Sequence, residues 1–116
     1  MAGGKAPRAA GDRFERACVE RLRAVGYLVV RSAGSLGPCD LVALRGDRVP
    51  VLVQCKRTDN LTRAGRVALW NVGQDYAATV VVASKPGRGR AIRWDRITDT
   101  GAYTPYDIDT DDIPRR

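Results

Sequence analysis

The chain has no histidine in its 116 residues. Ser-His and Cys-His nucleophilic mechanisms are therefore excluded, because each needs an imidazole base. Zinc is a poor expectation for the same reason, and the three cysteines, Cys18, Cys39 and Cys55, form no CxxC pair. An odd cysteine count reads as free, mostly buried thiols of an intracellular chain. No apolar run approaches a membrane span, and no basic-then-apolar leader opens the sequence. The chain therefore reads as intracellular, with the cytoplasm the expected location. Lysine and glutamate are scarce as well: only Lys5, Lys56 and Lys85 stand beside 17 arginines, and only Glu15 and Glu20 beside 11 aspartates. In a chain that defaults to Arg and Asp, a strand Lys or a helix Glu stands out as a candidate for specific chemistry.

Charge is plentiful and uneven. The net charge is +7, with residues 1–96 at +10 and residues 97–116 at −3. Such an excess on a small domain points to a polyanion, most simply nucleic acid, although a basic soluble protein with no such partner satisfies the charge equally. The length suits one domain with one modest core.

Residues 1–10 are small and basic and read as a flexible arm. Residues 11–97 read as the folded domain and 98–116 as an acidic tail, irregular or partly disordered. Phe14, Cys18, Leu22 and Val25 recur at helical spacing over 11–25, and Gly26 stops the helix. At about 100° per residue, Glu15 falls in the apolar sector and Glu20 opposite it. An acid on a buried face needs a partner or a task. Three strands follow, at 27–31, 39–44 and 50–56, with a Gly/Ser loop at 32–38 and a tight Arg45-Gly46-Asp47-Arg48 turn that makes the last two a hairpin. A second helix is expected over about 61–77, its stripe made of Leu61, Ala68, Leu69, Val72 and Tyr76, with Gly73 a weak point. Val67 and Trp70 lie off that stripe, so they contact another part of the chain or a second subunit. Thr79 to Ser84 is a continuous apolar strand, expected at the sheet centre, and 91–97 is a possible last strand.

The hairpin carries the chemistry. Gln54 and Lys56 are two apart on one strand and share a face, while Cys55 points to the other with Val51 and Val53. Asp40 lies on the paired strand. A carboxylate, an amide oxygen and an ammonium on one patch suit phosphodiester hydrolysis, where hard cations take oxygen ligands and a base or cation stands near the water. A solvated polar face of an edge hairpin accounts for the same pattern. The rarity of lysine, the Gly/Ser loop beside Asp40 and the placement of Glu15 favour the site.

These residues resemble the PD-(D/E)xK nuclease superfamily: Pro38-Cys39-Asp40, then Gln54-Cys55-Lys56. More specifically, Gly11-x-x-x-Glu15-Arg16, Gly26-Tyr27-x-Val29-Val30-Arg31-Ser32-Ala33-Gly34-Ser35, Asp40-Leu41-Val42-Ala43 and Val53-Gln54-Cys55-Lys56 are similar to the archaeal-type Holliday junction resolvases, in order over residues 11–57. The resemblance implies a restriction-endonuclease-like α/β core, a mixed central sheet flanked by helices in the order αβββαβ(β). It implies Mg²⁺, with Mn²⁺ as substitute, held by Asp40, Gln54, the Cys55 carbonyl and Glu15. Glu15, Asp40, Gln54 and Lys56 would be catalytic, with Lys56 orienting or activating the water. Arg13, Arg16, Arg31, Ser32, Ser35 and Arg57 would contact DNA. A homodimer would cut a four-way junction by paired nicks. Where the resolvases usually carry Glu, this chain has Gln54, which brings no charge to a cation and looks like the Mrr-type restriction nucleases. Three functions follow: a junction resolvase, a restriction-like or general nicking nuclease, and a non-catalytic DNA-binding relative.

Overall fold

The computed structural model describes residues 6–32, 39–56, 61–87, 89 and 91–109. Helix α1 (Ala6–Ala24) leads into β1 (Leu28–Arg31), β2 (Leu41–Leu44) and β3 (Val51–Lys56); α2 (Arg63–Asp75) follows, then β4 (Thr79–Ser84), β5 (Arg93–Ile97) and β6 (Tyr103–Pro105). The strands form one sheet in sequence order, antiparallel throughout except that β3 and β4 run parallel. Helix α2 is the crossover that a parallel pair requires.

Helix α1 begins five residues before its expected start, so Ala6 to Ala10 are helical rather than part of an arm; residues 1–5 lie outside the described residues. Alanine is the best helix former, and Pro7 falls in the first turn, where its missing N–H leaves no bond unmade. The helix closes on Gly26, at φ +97°. Gly26 N–H donates to the Arg23 carbonyl at 3.0 Å and Tyr27 N–H to the Leu22 carbonyl at 3.1 Å. That Schellman arrangement satisfies two terminal carbonyls and favours glycine at the left-handed position.

Side-chain alternation divides the core between the two sheet faces. Phe14, Cys18, Val19 and Leu22 of α1 pack with Val29, Leu41, Ala43, Val51, Val53, Val81 and Ala83. Leu69 of α2 packs on the other face with Leu52, Val80, Val82 and Ile97. Every residue of β4 is buried, as its unbroken apolar run predicts.

Two expectations for α2 are corrected. Ala68 and Tyr76 are exposed, and the buried positions are Leu69 and Gly73. Tyr76 is the C-cap, outside the regular helix, so its side chain leaves the stripe. Gly73 is the point of closest approach to the sheet: a Cβ there would stand 2.5 Å from Val80 Cγ2 and 2.9 Å from the Ala78 carbonyl oxygen. The off-stripe residues are covered within the chain. Trp70 packs into the α2-side core, and Val67 lies against the turn at Gly101.

The expected tail is corrected as well. Thr98 N–H bonds the Ala102 carbonyl, β6 pairs with β5, and Ile108 is buried in the α1-side core at 3% exposure. Polar composition hid this segment, because one strand pairing with β5, the buried Ile108 and the part-buried Tyr103 and Tyr106 suffice to hold it. Residues 110–116 lie outside the described residues.

Candidate active site

The candidate residues gather where β1, β2 and β3 end together. Asp40 stands at a bend just before β2, and its backbone continues both ladders: Ser32 N–H donates to its carbonyl at 2.7 Å, and its own N–H donates to the Val53 carbonyl at 2.9 Å. The bend has a packing signature. Cys39 joins the α2-side core and Leu41 the α1-side core, although residues two apart in a regular strand share a face.

The bend turns Asp40 onto the exposed end of β3. Asp40 Oδ2 accepts the Cys55 N–H at 2.8 Å. Because Val53 bonds across to the Asp40 backbone, strand alternation directs the Cys55 N–H and C=O to that same side, beyond the last β2 pair. The Asp40 carboxylate and the Cys55 carbonyl therefore share one edge. Burial raises the Asp40 pKa first; the Cys55 N–H opposes this, the charge of Glu15 adds to it, and that of Lys56 subtracts. Glu15 and Lys56 thus both lie within electrostatic reach of Asp40.

Gln54 and Lys56 project from the face opposite Cys55, as the alternation predicts. Gln54 Oε1 is buried with no hydrogen-bond partner among the described residues. A buried amide oxygen left unpaired costs free energy, so this atom has acceptor capacity for a donor or a cation. Cys55 packs towards α1. A hydrogen bond with Cys18, then burial, then the charges of Asp40 and Glu15 push its thiol well above the usual range. Its sulfur is thus turned away from the Asp40 side of the strand, where its backbone N–H and C=O lie.

Glu15 does have a partner on its face of α1. Arg31 Nε donates to Glu15 Oε1 at 2.8 Å, and Arg31 Nη2 donates to Asp12 Oδ1 at 2.8 Å. Asp12 Oδ2 also pairs with Arg16 Nε at 3.1 Å. Arg31 is the register partner of Leu41, so this cluster borders Asp40. Arg13 is exposed on α1. Ser35 and Arg57 lie outside the described residues. Asp12 is the member that sequence reasoning missed. Its i,i+4 spacing from Arg16 was a visible signal; its contact with Arg31, across 19 residues, was not.

Among the described residues, no three His, Cys, Asp or Glu side chains assemble as a metal cluster. The fit to a hard divalent cation rests instead on mixed oxygen donors: one carboxylate, one orphaned buried amide oxygen and one strand-end carbonyl. That donor set suits Mg²⁺ or Mn²⁺ and not a thiophilic ion.

A helix, three antiparallel strands, a crossover helix and a parallel fourth strand, with Asp entering the second strand and Gln-x-Lys ending the third, constitute the PD-(D/E)xK nuclease fold. Residues 6–66 match the archaeal Holliday junction resolvase (Hjc) family, and the chain belongs to it. Among solved structures, it is similar to Archaeoglobus fulgidus Hjc, a Holliday junction resolvase from an archaeal hyperthermophile, with 30% identity over 73% of this chain and 70% of that one and a TM-score of 0.61. No curated protein matches the sequence.

Proposed function

We propose that the chain is a divalent-metal-dependent endodeoxyribonuclease that resolves four-way DNA junctions by paired nicks. The carrying observation is the Asp40 carboxylate held on the Cys55 N–H, next along β3 from Gln54, whose Oε1 is buried with no partner among the described residues. Membership of a resolvase family supports the junction as substrate.

Asp40, Gln54 Oε1 and the Cys55 carbonyl would hold Mg²⁺ or Mn²⁺, and Glu15 would contribute through its second oxygen. The bound cation supplies charge neutralisation at the phosphate and a more acidic water. Lys56 orients the attacking water and offsets charge on the scissile phosphate. Arg16 and Arg31 hold backbone phosphates near the site, Arg13 and Arg57 contact the DNA, and Ser32 or Ser35 assists at the scissile phosphate. Two strands cut together need two sites, so the active form is a homodimer. No described helix is long and apolar enough to cross a membrane. A DNA substrate favours a cytoplasmic location.

The test is cleavage of four-way junction, nicked, flap and linear DNA with Mg²⁺ and with Mn²⁺. Paired nicks in the junction, with linear duplex spared, are expected. Equal cleavage of duplex would reject the junction assignment for a general nicking nuclease, the Mrr-type reading that Gln54 favours. Junction affinity without cleavage at any metal concentration would mean a DNA-binding module.

A further inference from the structure

Arg31 divides its fork between two carboxylates of different standing. Nε holds Glu15, whose side chain is 20% exposed, and Nη2 holds Asp12, whose side chain is 43% exposed. Asp12 gives its other oxygen to Arg16, which is 67% exposed. One carboxylate thus spans two arginines from neighbouring elements, one oxygen to each. The two non-bridging oxygens of a DNA phosphate could take the same two positions. Loss of Asp12 would leave Arg31 still fixed by Glu15, with its outer nitrogen directed to solvent.

We propose that Asp12 is an internal stand-in for phosphate, occupying Arg16 and Arg31 in the free protein and displaced when a DNA backbone docks. The inference rests on the reading above that these arginines hold phosphates. Asp12 then lowers affinity for any DNA, junction or duplex alike, because phosphate contacts carry no sequence information. Exchange is feasible because an exposed ion pair is weak and is screened by salt. Asp12 has no role in the chemical step.

The test is equilibrium binding of the full chain to a four-way junction and to linear duplex, in EDTA so that no cleavage intervenes. Asp12→Ala and Asp12→Asn are each expected to tighten both complexes roughly two- to fivefold, the scale of an exposed charge pair. Glu20→Ala, on the solvent side of the same helix, controls for net charge. In a chain already carrying Arg16→Ala and Arg31→Ala, the gain from Asp12→Ala should vanish. A gain that persists there, or that Glu20→Ala matches, would reduce Asp12 to one negative charge among others and overturn the inference. Weaker binding by the Asp12 variants would overturn it too, making Asp12 a support for the arginines rather than a competitor. If the arginine substitutions leave binding unchanged, the phosphate reading itself fails along with the inference. If they weaken binding while Asp12→Ala gives no gain, only the inference fails.

Discussion

Asp40 Oδ2 receives the backbone N–H of Cys55 at 2.8 Å, a bond that ties the start of β2 to the end of β3. It fixes one carboxylate oxygen by a backbone group that every residue except proline supplies. Burial of the carboxylate nonetheless raises the pKa of the acid, against the opposing effect of this bond. The site is therefore held in shape at some cost to the folded state.

That cost sets a pH dependence. The folded protein binds the Asp40 proton more tightly than the unfolded chain does, so this group's contribution to stability is complete at acid pH. It is lost as pH rises from the ordinary carboxylate range through the raised folded value. Asp40→Asn keeps an acceptor for Cys55 N–H and removes the charge. Without metal, the variant is expected to melt above wild type at neutral pH, with the gap closing as pH falls, and to have no cleavage activity. Thermal melts in EDTA across pH check this, and a variant that melts lower at neutral pH would contradict it.

Gln54 and Lys56 should separate metal binding from catalysis. Gln54→Glu restores a charge at the orphaned oxygen and is expected to be tolerated or to raise metal affinity, read as a lower Mn²⁺ concentration at half-maximal cleavage. Complete inactivity would mean that the cation sits elsewhere. Lys56→Ala is expected to lower cleavage at least about 100-fold, the scale for one group stabilising transition-state charge, with DNA affinity largely kept. Wild-type turnover would remove Lys56 from the site.

Gly73 marks how tightly α2 sits on β4. An added methyl meets the Ala78 carbonyl oxygen, a backbone atom that cannot move aside cheaply. Gly73→Ala should destabilise the fold by about 1–3 kcal/mol from overpacking, in spite of alanine's better helix propensity. Urea denaturation with an unchanged m-value is the measurement, and a stabilised variant would refute the contact.

Ile108 reports whether the acidic end of the chain belongs to the core. It is 3% exposed among α1-side residues, so Ile108→Ala should cost about 2–5 kcal/mol. A change below about 0.5 kcal/mol, the surface value, would mean that this segment is dispensable.

Local patterns were legible in the sequence. Thr79–Ser84 was bounded correctly, and the Gln54/Cys55 alternation placed one residue on each face, because strand geometry obliges neighbours to oppose. The stripe of α2 departs from its expected course at Ala68 and Tyr76, since Leu69 and Gly73 face the sheet and Tyr76 lies at the C-cap. Residues 98–109 are not legible in the same way, because composition measures average burial, and Tyr103, Tyr106 and Ile108 reaching the core are invisible to an average.

By itself, then, the sequence determined which residue types could do the chemistry and the order in which they arrive. The Asp40, Gln54 and Lys56 spacing admitted hard-cation phosphodiester chemistry or a solvated hairpin face, and the resemblance to the resolvases favoured the first. Only the tertiary structure decided what those groups face. The bend at Asp40 aims its carboxylate at a strand-end N–H, burial leaves Gln54 Oε1 unpaired, and Arg31 reaches back 19 residues to share Asp12 with Arg16. These contacts join parts of the chain far apart in sequence, and their formation depends on chain closure and burial, which no local spacing encodes.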